Sequence, residues 1–110
     1  MPLSERARIE LYIPDLPSPA YRELLEGLEQ EFTYTFGGCT LLTGLNGSYL
    51  SQLGLPIQDR VNLLYTDAPF TFDQGLNKLS HYADALREAA FEALEEEAIL
   101  VVILSVYHSE

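Results

Sequence analysis

Basic charge is scarce in this sequence. Six lysines and arginines stand against seventeen aspartates and glutamates, giving a net charge of −11. A surface so acidic is repelled by phosphate backbones, which argues against nucleic-acid binding. Anionic membrane surfaces are disfavoured for the same reason. The imbalance keeps the chain in solution and favours a basic protein partner or a cationic one. A second cysteine is also missing, so Cys39 cannot close an internal disulfide. Long apolar runs are absent: the longest, Ala98–Leu104, falls far short of the roughly 18 residues that a membrane span needs. The opening MPLSERARIE lacks the apolar segment of a secretory signal. Together these features point to a cytoplasmic protein. The sequence shows no internal repeat, low-complexity tract or domain boundary. Its 110 residues, 47% of them hydrophobic, suit one domain over 1–110 with a real core.

What is present is periodicity. Arg6–Ile13 alternates strictly, with Ala7, Ile9, Leu11 and Ile13 on one side and Arg6, Arg8, Glu10 and Tyr12 on the other. That pattern predicts a half-buried strand, ended by Pro14. Ser18 is placed as an N-cap with Pro19 at the first helical position, where its missing N–H costs nothing. Tyr21, Leu24, Leu25, Leu28 and Phe32 then share one helical face, predicting a helix over Ser18–Phe32. Gly37-Gly38 supplies the reversal after it. Cys39–Leu45 reads as strand. Asn46-Gly47 reads either as a type I′ hairpin turn, with Ser48–Ser51 returning, or as part of one long bent strand with bulges at Gly44 and Gly47. A loop follows, and Val61–Thr66 is another alternating strand. Thr71 and Gln74 have the spacing of a capping box. Phe72, Leu76, Leu79, Ala83, Leu86, Ala90 and Leu94 recur at spacings of three and four, predicting a helix over Phe72–Glu96. Ala98–Tyr107 is a last strand, apolar on both faces.

The order β-α-β-β-α-β predicts an α+β, ferredoxin-like βαββαβ domain. Its antiparallel sheet would carry two helices on one face, with strand order 4-1-3-2. Leu11, Leu25, Leu28, Leu63, Leu79, Leu86 and Val101 are the expected core. The stretches ELYIP, FGGCTLLTGLNGSY, RVNLLYTDAP and EEEAILVVILSV resemble, in order, the strand signatures of a bacterial family of small ferredoxin-like domains of unknown function. That resemblance covers most of the chain, implies the fold, and carries no catalytic assignment. The element order is also similar to that of the P-II signalling proteins, whose long β2–β3 loop falls where Tyr49–Gln58 sits. Those proteins hold nucleotide phosphates with basic residues, and here only Arg60 is near.

Motifs for chemistry are sparse. The glycines of Gly37-Gly38-Cys39-Thr40 and Gly44-Leu45-Asn46-Gly47 lie after a helix and within strands, not in the strand–helix setting of a phosphate loop. Cys39 has no CxxC partner and no adjacent histidine, so it reads as a small buried hydrophobe. His81 is followed at i+4 by Ala85, which fails the two-ligand spacing of a helical metal pair and leaves a solvated face. No metal or cofactor is expected. His108 is expected on a tail beyond the last strand. Glu95-Glu96-Glu97, with Glu92, reads as a solvated acidic rim or a docking patch for a basic partner. The strongest candidate for ligand binding is the row Arg8, Glu10 and Tyr12, expected on the sheet face away from the helices and joined there by Asn62. The fourth strand lies at a sheet edge without blunting charge or proline, so one of its two apolar rows needs cover. The expectation is a homo-oligomer, most simply a dimer, acting as a non-enzymatic ligand- or protein-binding regulatory module. The competing expectation is a cofactor-independent dimeric α+β-barrel enzyme, an isomerase or monooxygenase, with Arg8, Glu10 and Tyr12 around an enclosed cavity.

Overall fold

Alternation at the start of the chain sets the architecture. The computed structural model describes residues 3–94 and 99–109. Its elements are β1 (Leu3–Pro14), α1 (Pro19–Phe36), β2 (Thr40–Leu50), β3 (Pro56–Asp67), α2 (Phe72–Leu94) and β4 (Leu100–Ser109). They form one four-stranded antiparallel sheet of order β2-β3-β1-β4, with both helices on one face. The ferredoxin-like βαββαβ fold is therefore as the sequence predicts. Ala7, Ile9, Leu11 and Ile13 of β1 are fully buried beneath the helices. Leu28 and Phe32 of α1 and Leu79 and Leu86 of α2 close over them.

Local rules account for the helix ends. Ser18 occupies the N-cap of α1 with Pro19 following, although its hydroxyl makes no capping bond. The helix runs four residues beyond Phe32, because Phe36 stacks edge-on against Phe32 and against Tyr82 of α2, with centroids 5.8 and 5.5 Å apart. It stops at Gly37, left-handed at φ 90°, whose N–H bonds to the Thr33 carbonyl. The capping box of α2 is complete. The Thr71 N–H donates to Gln74 Oε1 at 3.1 Å, and the Gln74 N–H donates to Thr71 Oγ1 at 3.3 Å. Gly75 kinks the first turn, and the Phe70 ring lies where a Cβ would sit, so only glycine fits there. Glu95, Glu96 and Glu97 lie outside the described residues.

Of the two readings of Asn46-Gly47 the long bent strand is the one observed, and two expectations are corrected. Asn46-Gly47 makes no hairpin turn: β2 is continuous from Thr40 to Leu50, with Asn46 opposite Arg60 and Gly47 opposite Asp59. The single irregularity lies between Leu42 and Leu45, at Gly44, whose φ is +68°. The true turn comes later. Ser51 N–H donates to Leu55 O, Gly54 N–H donates to Ser51 O, and Leu55 N–H donates to Ser51 Oγ. Pairing along a full-length β3, which begins at Pro56, overrides the local turn preference of Asn-Gly. The two strands form a long hairpin that draws the molecule out to 46 Å. Leu63 is the first correction: it lies half-buried on the sheet face opposite the helices, while Leu64 takes the fully buried place. Leu25 and Val101 pack against the core as expected, partly exposed. The second correction is His108, which lies within β4 opposite Ser4.

Candidate functional site on the open sheet face

The face of the sheet away from the helices is built by cross-strand pairing with β1. Arg8 stands opposite Asp67 of β3 and Leu104 of β4. Glu10 stands between Tyr65 and Val102, and Tyr12 between Leu63 and Leu100. Thr40 and Leu42 of β2 extend these rows beyond Tyr65 and Leu63. Directly opposed residues in a sheet share a face, so Arg8, Glu10 and Tyr12 line the open face together, as the alternation of β1 requires.

Asn62 does not join them. It opposes Ile13 and is only 8% exposed, among the core residues under the helices. There its side-chain oxygen accepts the N–H of Gly44 at 3.1 Å, satisfying a donor freed by the irregularity in β2. Thr66 on the same row donates to the Gly38 carbonyl at 2.6 Å. These bonds let two polar residues sit in the core. They also explain why the apparently more apolar row, Val61, Leu63 and Tyr65, faces outward.

Asp67 is the centre of the open face. Arg8 grips it with two bonds, Nε to Oδ1 at 2.7 Å and Nη2 to Oδ2 at 3.1 Å. The guanidinium carbon lies 4.3 Å from the centroid of the Tyr65 ring, a cation–π contact. His108 Nε2 lies 2.7 Å from Asp67 Oδ2. Hydrogen bonding from Arg8 holds the Asp67 carboxyl below its ordinary range, with His108 adding to it against the opposing effect of burial. The same Asp67 bond raises the Arg8 guanidinium, again against burial. An ionised carboxylate only accepts, so His108 Nε2 is the donor. A neutral ring then carries a lone pair on Nδ1. Two residues along β1, the Tyr12 hydroxyl donates to Glu10 Oε1 at 3.1 Å, and burial together with that bond raises the Tyr12 phenol.

Sequence reasoning missed Asp67 and His108. Asp67 ends β3, and its role follows only from its register with Arg8. His108 follows the run Leu100, Val102, Leu104 and Val106 at the same period of two, and that continuation was the available signal. Elsewhere, Cys39 is half-buried, its Sγ 3.7 Å from Thr33 Oγ1 and 3.8 Å from the Glu29 carbonyl, in keeping with a structural role. His81 is exposed on α2. No group of three or more histidine, cysteine or acidic residues comes together as a metal cluster among the described residues. No helix among them is long and apolar enough to cross a membrane.

No protein-family model matches the chain, and no curated protein matches it in sequence. The resemblance to a family of uncharacterised ferredoxin-like domains therefore holds for the fold alone. Among solved structures, the chain is similar to CutA1 from Oryza sativa, at 16% identity and a TM-score of 0.59, covering 96% of this chain and 84% of that one. It is similar to the divalent cation tolerance protein CutA1 from Thermus thermophilus, at 17% identity and 0.58, covering 97% and 88%. It also matches CPII from Thiomonas intermedia, a nitrogen regulatory PII-like protein bound to ADP, AMP and bicarbonate, at 14% identity and 0.54, covering 99% and 100%. The class defined is a CutA1- and PII-like ferredoxin fold.

Proposed function

We propose that this chain is a non-enzymatic, oligomeric binding module whose open sheet face is covered by a second copy, most simply in a dimer. One observation carries the reading. The row Leu100, Val102, Leu104 and Val106 on edge strand β4 faces away from the helices, and Leu63 and Leu42 lie on the same face across β1. Leu100 is 58% exposed and Leu42 is 44% exposed. Burying branched side chains of this kind is worth about 1.5–3 kcal/mol each, and a soluble monomer rarely leaves such a stripe open. Ile57, in the same β3 row as Leu63 toward the distal end of the β2–β3 hairpin, is 37% exposed. In the assembled module Arg8, Glu10 and Tyr12 line the enclosed space, and the Arg8–Asp67–His108 cluster offers polar contacts to a small ligand. The ADP and AMP of the Thiomonas protein do not carry over. The hairpin here offers Arg60, already within 3.6 Å of Asp15, as its basic residue. Sedimentation at micromolar concentration tests the reading: no dominant monomer is expected, and a clean 12.4 kDa species refutes it.

A second reading has its own observation. The His108–Asp67 pair resembles the base-and-orienter arrangement of acid–base enzymes, and it sits on the face where a cofactor-independent enzyme of the α+β-barrel kind would work. That reading expects turnover of small aromatic carbon acids that His108→Asn abolishes with the oligomer intact. Absence of turnover across such a panel leaves the binding module.

A further inference from the structure

The two helices do not close against each other along their length. At one end they are bound by Tyr82, whose ring meets Phe32 and Phe36 and whose hydroxyl donates to Glu31 Oε1 at 3.0 Å. Away from that latch the facing side chains are small. Ala20 and Gly27 line one wall and Ala85, Ala89 and Ala93 the other, over a floor of Leu24, Leu28 and Leu86. The result is a groove of about 600 Å³ on the outer surface of the helix layer. It spans Ala20 to Glu31 on α1, roughly 16 Å at 1.5 Å per residue.

Gly27 adds an independent argument. A mid-helix glycine costs about 1 kcal/mol relative to alanine. Nothing within the folded chain calls for it, since an added Cβ would meet no atom within 4 Å. A glycine that the single chain does not need, set in the wall of an open groove, fits the close approach of another backbone.

Charge decides the kind of backbone. Glu23 and Glu31 stand in the lining, and no basic residue does. Over their whole length α1 carries Glu23, Glu26, Glu29 and Glu31 against Arg22, and α2 carries Asp73, Asp84, Glu88 and Glu92 against Lys78 and Arg87. A second copy's helices would bring the same acidic faces together, so a second copy is the wrong occupant. We propose that the α1–α2 groove docks a basic amphipathic helix of another protein. That helix would lay an apolar ridge on Leu24, Leu28 and Leu86, and its lysines or arginines would meet Glu23 and Glu31. The groove lies across the sheet from the open face, and the proposal does not depend on how that face is covered.

The test is fluorescence-anisotropy titration of the full chain with a labelled synthetic peptide of about 14 residues, roughly 21 Å as a helix. Its leucines fall at i, i+3, i+4 and i+7, with lysines elsewhere. Saturable binding is expected. The same residues scrambled off one face should bind at least about tenfold more weakly, as about 1.4 kcal/mol would produce. Gly27→Leu, whose Cβ has open space and whose side chain would occupy the groove, favours the helix and should weaken binding by at least about tenfold without lowering the melting temperature. Glu23→Gln should weaken it too, whereas Glu26→Gln, outside the lining on the same helix, should not. Val102→Lys on the open face should leave peptide affinity unchanged even if it dissociates the oligomer, which separates this test from that of the module. Equal binding by wild type and Gly27→Leu, equal binding of the scrambled peptide, or no binding at all would overturn the proposal. Dissociation of the oligomer by Gly27→Leu would assign the groove to a second copy and overturn it as well.

Discussion

Replacing Val102 with lysine separates the two faces of β4. Val102 stands opposite Glu10 on the open face, between Leu100 and Leu104 of its own row. In a two-fold stacking of open faces each copy contributes one Val102. Burying a valine is worth about 1.5–3 kcal/mol, so losing both removes about 3–6 kcal/mol from association. At about 1.4 kcal/mol per decade, that is a hundredfold to roughly ten-thousandfold weaker dimer. A lysine near the rim can swing its ammonium to water, which pulls the figure toward the lower end. The monomer should stay folded, because the new ammonium lies directly across the strand from Glu10, an opposite-charge pair that sheets tolerate well. Ile103→Lys is the contrast. Ile103 packs against the core beneath the helices, where an unpaired ammonium is strongly destabilising, so that variant should unfold. Sedimentation velocity across a concentration series, with circular dichroism on the same samples, reads both outcomes. A Val102→Lys protein that sediments like wild type would refute the shared face. One that unfolds would refute the assignment of rows.

The remaining predictions address the core, the ion cluster and the glycines. Leu86→Ala should cost about 2–3 kcal/mol, the lower part of the range for a buried leucine, because Leu86 also borders the inter-helix groove and water can enter the space left. At an unfolding entropy of about 2.1 cal/mol/K per residue, that is a fall of roughly 9–13 °C in Tm; a loss well under 1 kcal/mol would contradict the packing described. Asp67→Asn should lower stability at neutral pH by about 1.5–3 kcal/mol, the usual worth of hydrogen bonds to a charged group. The folded-state carboxyl is held below its ordinary value of 3.8, so its contribution is present above that pH and lost as the pH falls below it. The gap between variant and wild type in urea unfolding should therefore narrow on acidification, and a constant gap would dismiss the cluster as a source of stability. Gly44→Val should cost about 1–3 kcal/mol in chemical denaturation, because Gly44 is left-handed at φ +68° and a Cβ there comes within 3.0 Å of Arg60 Nη2. Gly47→Val should be tolerated, since Gly47 sits in regular strand and its Cβ would meet only the Asp59 carbonyl at 3.9 Å; a larger loss at Gly47 than at Gly44 would reverse the reading of β2.

Much of this protein is determined within short windows of sequence. The strict alternation of β1 decides both that it is a strand and which row goes inward, because one row is wholly apolar and the other holds Arg8, Glu10 and Tyr12. The capping box at Thr71 and Gln74 and the spacing of Leu79, Leu86 and Ala90 do the same for α2. These features rest on interactions a few residues apart, where local geometry is the whole cause. The order of elements then leaves few ways to build a sheet, so the ferredoxin-like topology follows.

Tertiary structure alone decided the rest. In β3 both alternating rows contain apolar residues, so periodicity cannot tell inside from outside. The pairing of Ile13 with Asn62 and Leu11 with Leu64 turns Asn62 and Thr66 inward, where Gly44 and Gly38 satisfy their hydrogen bonds. In β4 both rows are apolar, and only the register with β1 sends Val101 and Ile103 to the helices and Val102 and Leu104 to the open face. Asn46-Gly47 has the strongest local preference for a turn in the chain, yet a ladder of bonds to β3 outweighs that single dipeptide. The cluster of Arg8, Asp67 and His108 joins residues from three strands spread over most of the sequence. Its members meet only because antiparallel pairing brings β3 and β4 to either side of β1, a relation that no window of neighbouring residues contains.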